Sequence, residues 1–173
     1  MKLFNYGIIL AVTFFIIGCS SFGHLEPDYE KIADNITEKT AKKLKEQKNL
    51  SLVGIGGKMM NDIQAMDMSF EFYQEIDLIQ ARKLIVCVIY EYLSDINSSK
   101  ELKPYLHEYP FTAKNIEIRI WIYNSDKSRL PAENIYYISS INGMLEYYIR
   151  SEPHQPVYEE TYEDALKIVN SCR

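Results

Sequence analysis

The chain has 173 residues, the size of one ordinary domain with room for a real core. Its 19 basic and 24 acidic side chains leave a net charge of −5 with no basic stripe, which excludes a nucleic-acid binder. Fourteen tyrosines against seven phenylalanines are the unusual feature, and tyrosine, apolar in body and polar at its tip, suits half-exposed surfaces.

The first residues read as an address. Lys2 supplies a positive charge, residues 6–17 run apolar, and Gly18-Cys19 closes the segment with a small residue before a thiol. About twelve apolar residues reach only about 18 Å as a helix, against a hydrocarbon core of about 30 Å. The stretch Ile16-Ile17-Gly18-Cys19 resembles the lipobox of bacterial lipoproteins. The resemblance covers residues 1–19 alone and implies that 1–18 are a secretory signal and that Cys19 is acylated and becomes the first mature residue. Ser20 in place of Asp implies an outer-membrane address, with a periplasm-facing domain held to the membrane through Cys19. Multiple acyl chains make such anchoring stable without a span. Residues 19–27 then form a tether and 28–173 a single domain.

With Cys19 lipidated, Cys87 and Cys172 remain, in a compartment where disulfides persist. They are a candidate disulfide; the alternative is one thiol packed as a small hydrophobe and one on a frayed tail.

Pro27-Asp28 opens a helix, and Tyr29, Ile32, Ala33, Ile36, Ala41 and Leu44 carry it at helical spacing to about Lys48, its lysine-rich end matching the dipole. Residues 50–53 read as a short strand, the cluster Gly54-Ile55-Gly56-Gly57 as a glycine turn or bulge, and residues 63–73 as a strand alternating Met66, Met68, Phe70 and Phe72 with Asp67, Ser69 and Glu71. The glycines are not a phosphate loop, because they lack Gly-Lys-Ser/Thr and precede a strand instead of a helix. Residues 76–96 form the central helix. Within it, 84–90 are apolar all round and would suit a buried strand, but the length of the periodic segment favours helix. A proline-broken loop covers 101–111.

Ile116, Ile118, Ile120 and Ile122 alternate with Glu117, Arg119, Trp121 and Tyr123, so one face of this strand is all isoleucine. Asn142-Gly143 between two alternating runs signals a type I′ hairpin. Its register pairs Ile141 with Met144, Ser140 with Leu145 and Ile138 with Tyr147, and places Tyr136 on the inner face and Ile135 on the outer one. A last helix begins at about Glu159. The expected fold is α+β, in two layers, with a mainly antiparallel sheet of about five strands and helices on one face, in the order α-β-β-α-β-β-β-α.

No motif for catalysis, metal or cofactor binding emerges. His24, His107 and His154 fall in tether or loop segments without metal-ligand spacing, and Cys87 in an apolar helix is poorly placed as a nucleophile. What the pattern offers is a surface. If the isoleucine face meets the helices, the opposite face gathers Trp121, Tyr123, Tyr137 and Tyr148 with Arg119, Glu146 and Arg150, the residue types of partner, peptide or glycan contacts. Two functions follow as expectations: a lipid-anchored binding or assembly module of the envelope, or an envelope hydrolase whose site comes together only in three dimensions.

Overall fold

A computed structural model describes residues 28–151 and 153–169. Residues 1–27, on which the expected secretory signal, lipidation site Cys19 and tether with His24 fall, and Cys172 lie outside the described residues.

Helix α1 (Asp28–Lys48) buries Ala33, Thr37, Thr40, Ala41 and Leu44, mostly small side chains that let it lie close to its neighbour. It ends where Asn49 turns to φ 60° and its N–H returns to the Lys45 carbonyl at 3.1 Å, the left-handed cap that asparagine tolerates. Strand β1 (Ser51–Met59) runs antiparallel to β2 (Ile63–Phe72). The glycines expected to form a turn are therefore part of β1, which bulges between Leu52 and Gly54, and the chain reverses at residues 60–62. Close backbone approach explains the glycines: a Cβ on Gly57 would meet the Ala65 carbonyl oxygen at 2.6 Å.

Helix α2 (Leu78–Ser98) starts at a capping box in which the Asp77 side chain accepts from the Gln80 N–H and the Gln80 side chain accepts from the Asp77 N–H. That start decides the segment 84–90 as helix, and burial of Leu84 through Ile89 explains why it is apolar all round. As the crossover, α2 brings β3 (Ile116–Ile122) parallel to β2. Strands β4 (Tyr137–Ile141) and β5 (Met144–Tyr148) follow, joined by Asn142 at φ 51° and Gly143 at φ 77°, in the register expected from the type I′ turn.

Two expectations are corrected at the C-terminal end. Residues 158–161 are a sixth strand, β6 (Tyr158–Thr161), antiparallel to β5, and the final helix α3 (Tyr162–Ile168) starts only after Thr161, whose hydroxyl caps the Asp164 N–H. Glu160 turns inward to a buried arginine, which favours strand alternation over an earlier helix start. Ile135 joins the core and Tyr136 does not, the reverse of the expected faces, because both precede the first paired residue of β4 and strict alternation starts only at Tyr137.

The result is a mixed, mostly antiparallel sheet in the order β1-β2-β3-β4-β5-β6 with the helices on one face. Ile116, Ile118, Ile120 and Ile122 are almost fully buried beneath the helices beside Met66, Met68 and Phe70. The alternate residues of β2 to β5 point to the other side, which no helix among the described residues covers, and are mostly half-buried.

Candidate functional site

On the uncovered face, pairing aligns side chains in rows across the strands. One row runs Glu71, Trp121, Tyr137, Tyr148; the next runs Ser69, Arg119, Ser139, Glu146, Glu159. The first is an aromatic ladder. Ring centroids of Trp121 and Tyr137 lie 5.4 Å apart, those of Tyr137 and Tyr148 5.4 Å apart, and the His154 ring stacks on Tyr148 at 5.0 Å and 16°. These spacings fall in the range of favourable offset and tilted ring pairs.

Charges flank the ladder in fixed hydrogen bonds. Glu146 accepts from the Ser139 hydroxyl at 3.0 Å and from the Tyr148 hydroxyl at 2.9 Å. Desolvation, and next the bond to Glu146, push the Tyr148 hydroxyl up to about 12, so it stays a donor at neutral pH. Arg119 pairs with Glu117 and reaches Asp67 at 4.0 Å. Asp67 titrates above the ordinary aspartate range because burial, and then the like charge of Glu117, disfavour its anion; its Oδ1 is buried without a partner.

Past the ends of β3 and β5 the ladder opens into a cleft of about 500 Å³ between Trp121, Tyr123, Arg129, Tyr136, Arg150 and His154. A guanidinium nitrogen of Arg150 donates to the Leu130 carbonyl at 2.5 Å while its carbon lies 4.8 Å from the Tyr136 ring centroid, so hydrogen bonding and a cation–π contact hold the head. His154 Nδ1 lies 3.4 Å from the Tyr136 hydroxyl. Tyr123 stacks on Tyr73 at 6.0 Å, and the Tyr73 hydroxyl donates to Glu71.

Of the seven residues read from the sequence as candidates, Arg119, Trp121, Tyr137, Glu146 and Tyr148 share the uncovered face. Tyr123 and Arg150 instead line the cleft, with Trp121 at the junction. Sequence reasoning missed Arg129, Tyr136, His154 and the Tyr73 that backs Tyr123. Arg129 and His154 sit in irregular segments beside Pro131 and Pro153, where no period links them to a strand.

Cys87 is buried on α2 and disulfide-bonded; the chain's other two cysteines lie outside the described residues. Among the described residues no group of three or more His, Cys, Asp or Glu is placed to hold a metal ion, and no helix is long and apolar enough to cross a membrane. Compared with models of protein families, with curated proteins and with solved structures, the chain matches none.

Proposed function

We propose that this chain is a lipid-anchored protein of the bacterial envelope, tethered through Cys19 with its domain on the periplasmic side of the outer membrane, and that it binds a glycan on the uncovered sheet face. The observation that carries the reading is the row Trp121, Tyr137, Tyr148, His154, continuous across three strands and a loop on the face that the helices leave open. Rows of rings suit the C–H faces of sugars, since the negative π-face attracts their slightly positive hydrogens. Beside the rings, the half-buried Glu146 and Arg119 supply an acceptor and a donor of the kind that orient hydroxyl groups, Glu146 being fixed by the buried Ser139 hydroxyl. Asp67, the carboxyl on this face with a raised titration range, lies away from the residues that line the cleft, which favours binding over hydrolysis.

The anchor and the binding face are tested separately. Cells fed a clickable fatty acid should label the wild-type protein and not Cys19→Ala; equal labelling removes the lipoprotein reading. For the face, the full chain in detergent micelles is titrated with soluble envelope glycan fragments by calorimetry. Tyr137→Ala and Tyr148→Ala should each weaken binding about tenfold while the fold is retained, as for aromatic anchors at the centre of an interface. Unchanged affinity in both variants removes the binding face.

A further inference from the structure

The cleft at the end of the ladder has a charge opposite to that of the molecule around it. The chain carries −5 overall, and Asp67, Glu71, Glu117 and Glu146 stand on the adjoining sheet face. Among the described residues that line the cleft, none is acidic and two are arginines. Arg129 is exposed and forms no ion pair among the described residues, so its guanidinium has free donors. Arg150, by contrast, is held in place by Leu130 and Tyr136, and a cation fixed before the ligand arrives loses little freedom on binding. Trp121, Tyr123 and Tyr136 line the cleft beside these cations.

We infer that the cleft is a subsite for the carboxylate of an acidic sugar, with Arg129 and Arg150 as the anion clamp and Trp121 and Tyr136 as the walls against the sugar ring. This rests on the glycan reading above and adds its polarity: the acidic sugar enters the cleft, and neutral units extend over Tyr137 and Tyr148, away from the cationic end. Guanidinium heads suit a carboxylate because their planar fork can donate two parallel hydrogen bonds to its two oxygens. The acidic neighbours on the sheet face disfavour the opposite orientation by like-charge repulsion.

Trp121 is the chain's single tryptophan and lines the cleft, so its fluorescence reports occupancy directly. The full chain in neutral detergent micelles is titrated with an aldotriouronic acid, two neutral sugars ending in a single uronic acid, and with its methyl ester, the same rings without charge. The acid should bind at least about tenfold tighter than the ester, the weight of a charge-assisted contact. Arg129→Gln should remove that preference by weakening the acid far more than the ester, with Arg129→Lys between; Arg129 is exposed, so these variants keep the fold. Added salt should weaken the acid and not the ester. Equal affinity for the two probes, an unaltered preference in Arg129→Gln, or no binding of the acid would overturn the inference. Tyr148→Ala distinguishes it from the reading beneath it. If Tyr148→Ala weakens both probes alike while the two bind equally, the ladder stands and the anion clamp falls; if the acid preference persists and Tyr148→Ala changes nothing, the ladder falls and the clamp stands.

Discussion

Arg82 on α2 and Glu160 on β6 form an ion pair with both side chains almost wholly out of water, Nε to Oε1 at 2.7 Å. The same Oε1 accepts from the Tyr147 hydroxyl at 2.8 Å, Oε2 has no partner, and the Arg82 head lies 5.3 Å from the Tyr158 ring centroid. The pair therefore ties the last strand to the helical layer at the cost of two desolvated charges, and Tyr147, buried and already donating to a carboxylate, is held far above its usual range.

Glu160→Leu should strand a buried guanidinium and destabilise the fold by about 3–5 kcal/mol, whereas Arg82→Met with Glu160→Leu should recover most of that loss. Urea unfolding of the two variants decides it. A double variant as unstable as the single one would show that packing at these positions, and not the charge pair, holds β6.

Much of this architecture is legible in the sequence because its strongest signals are local. Asn142-Gly143 dictates a turn with two positive φ angles and thereby the β4–β5 register, and the alternation of Ile116 to Ile122 identifies the inner face of β3. Signals that depend on a distant partner are not legible. Glu159-Glu160 reads as the acidic first turn of a helix until Arg82, far away in sequence, is seen to hold Glu160 inward. Likewise Gly54 to Gly57 reads as a turn because nothing local reveals that the Ala65 carbonyl needs the space of a missing side chain. The ladder was legible for the same reason as β3, through strand parity and the hairpin register. The cleft was not, since Arg129 and His154 arrive from loops.

The strained hairpin gives a further prediction. Gly143 has φ 77°, and a Cβ there would lie 3.4 Å from Lys114 Cγ. Gly143→Ala should cost about 1–2 kcal/mol through the left-handed backbone alone, with a slightly larger loss if Lys114 cannot move aside. Thermal unfolding followed by circular dichroism measures it, and Ser94→Ala on the solvent side of α2 serves as the neutral control.

Asp67 sets a pH dependence whose sign follows from its surroundings. Its titration point is higher in the folded chain than in the unfolded one, mainly through burial, so the folded state binds the proton more tightly. Its charge therefore opposes folding at neutral pH, and that penalty disappears as the pH falls through the folded and then the unfolded titration range. Asp67→Asn should accordingly raise the melting temperature at pH 7 by roughly 1–3 °C, and the gain should vanish near pH 3. A variant that is less stable at pH 7 would show that the contact with Arg119 outweighs the burial of the charge.

The last prediction separates the two faces of β3 with neighbouring residues. Ile120 is fully buried under the helices, aligned with Phe70 and Ile138, so Ile120→Ala removes packed methylene groups and leaves a cavity; the expected cost is about 2–5 kcal/mol. Trp121, one position later, is half-buried on the uncovered face and touches the Tyr137 ring without reaching the core. Trp121→Ala loses one cross-strand ring pair and should cost about 0.5–1.5 kcal/mol for it beyond the area exposed. Binding should respond in the opposite sense: Trp121→Ala loses ligand at both the ladder and the cleft, whereas Ile120→Ala, measured below its own melting transition, keeps affinity. Paired thermal melts and calorimetric titrations provide the measurement. If Trp121→Ala unfolds the domain as readily as Ile120→Ala, the aromatic row is part of the load-carrying interior of the fold and is not a surface kept for a ligand.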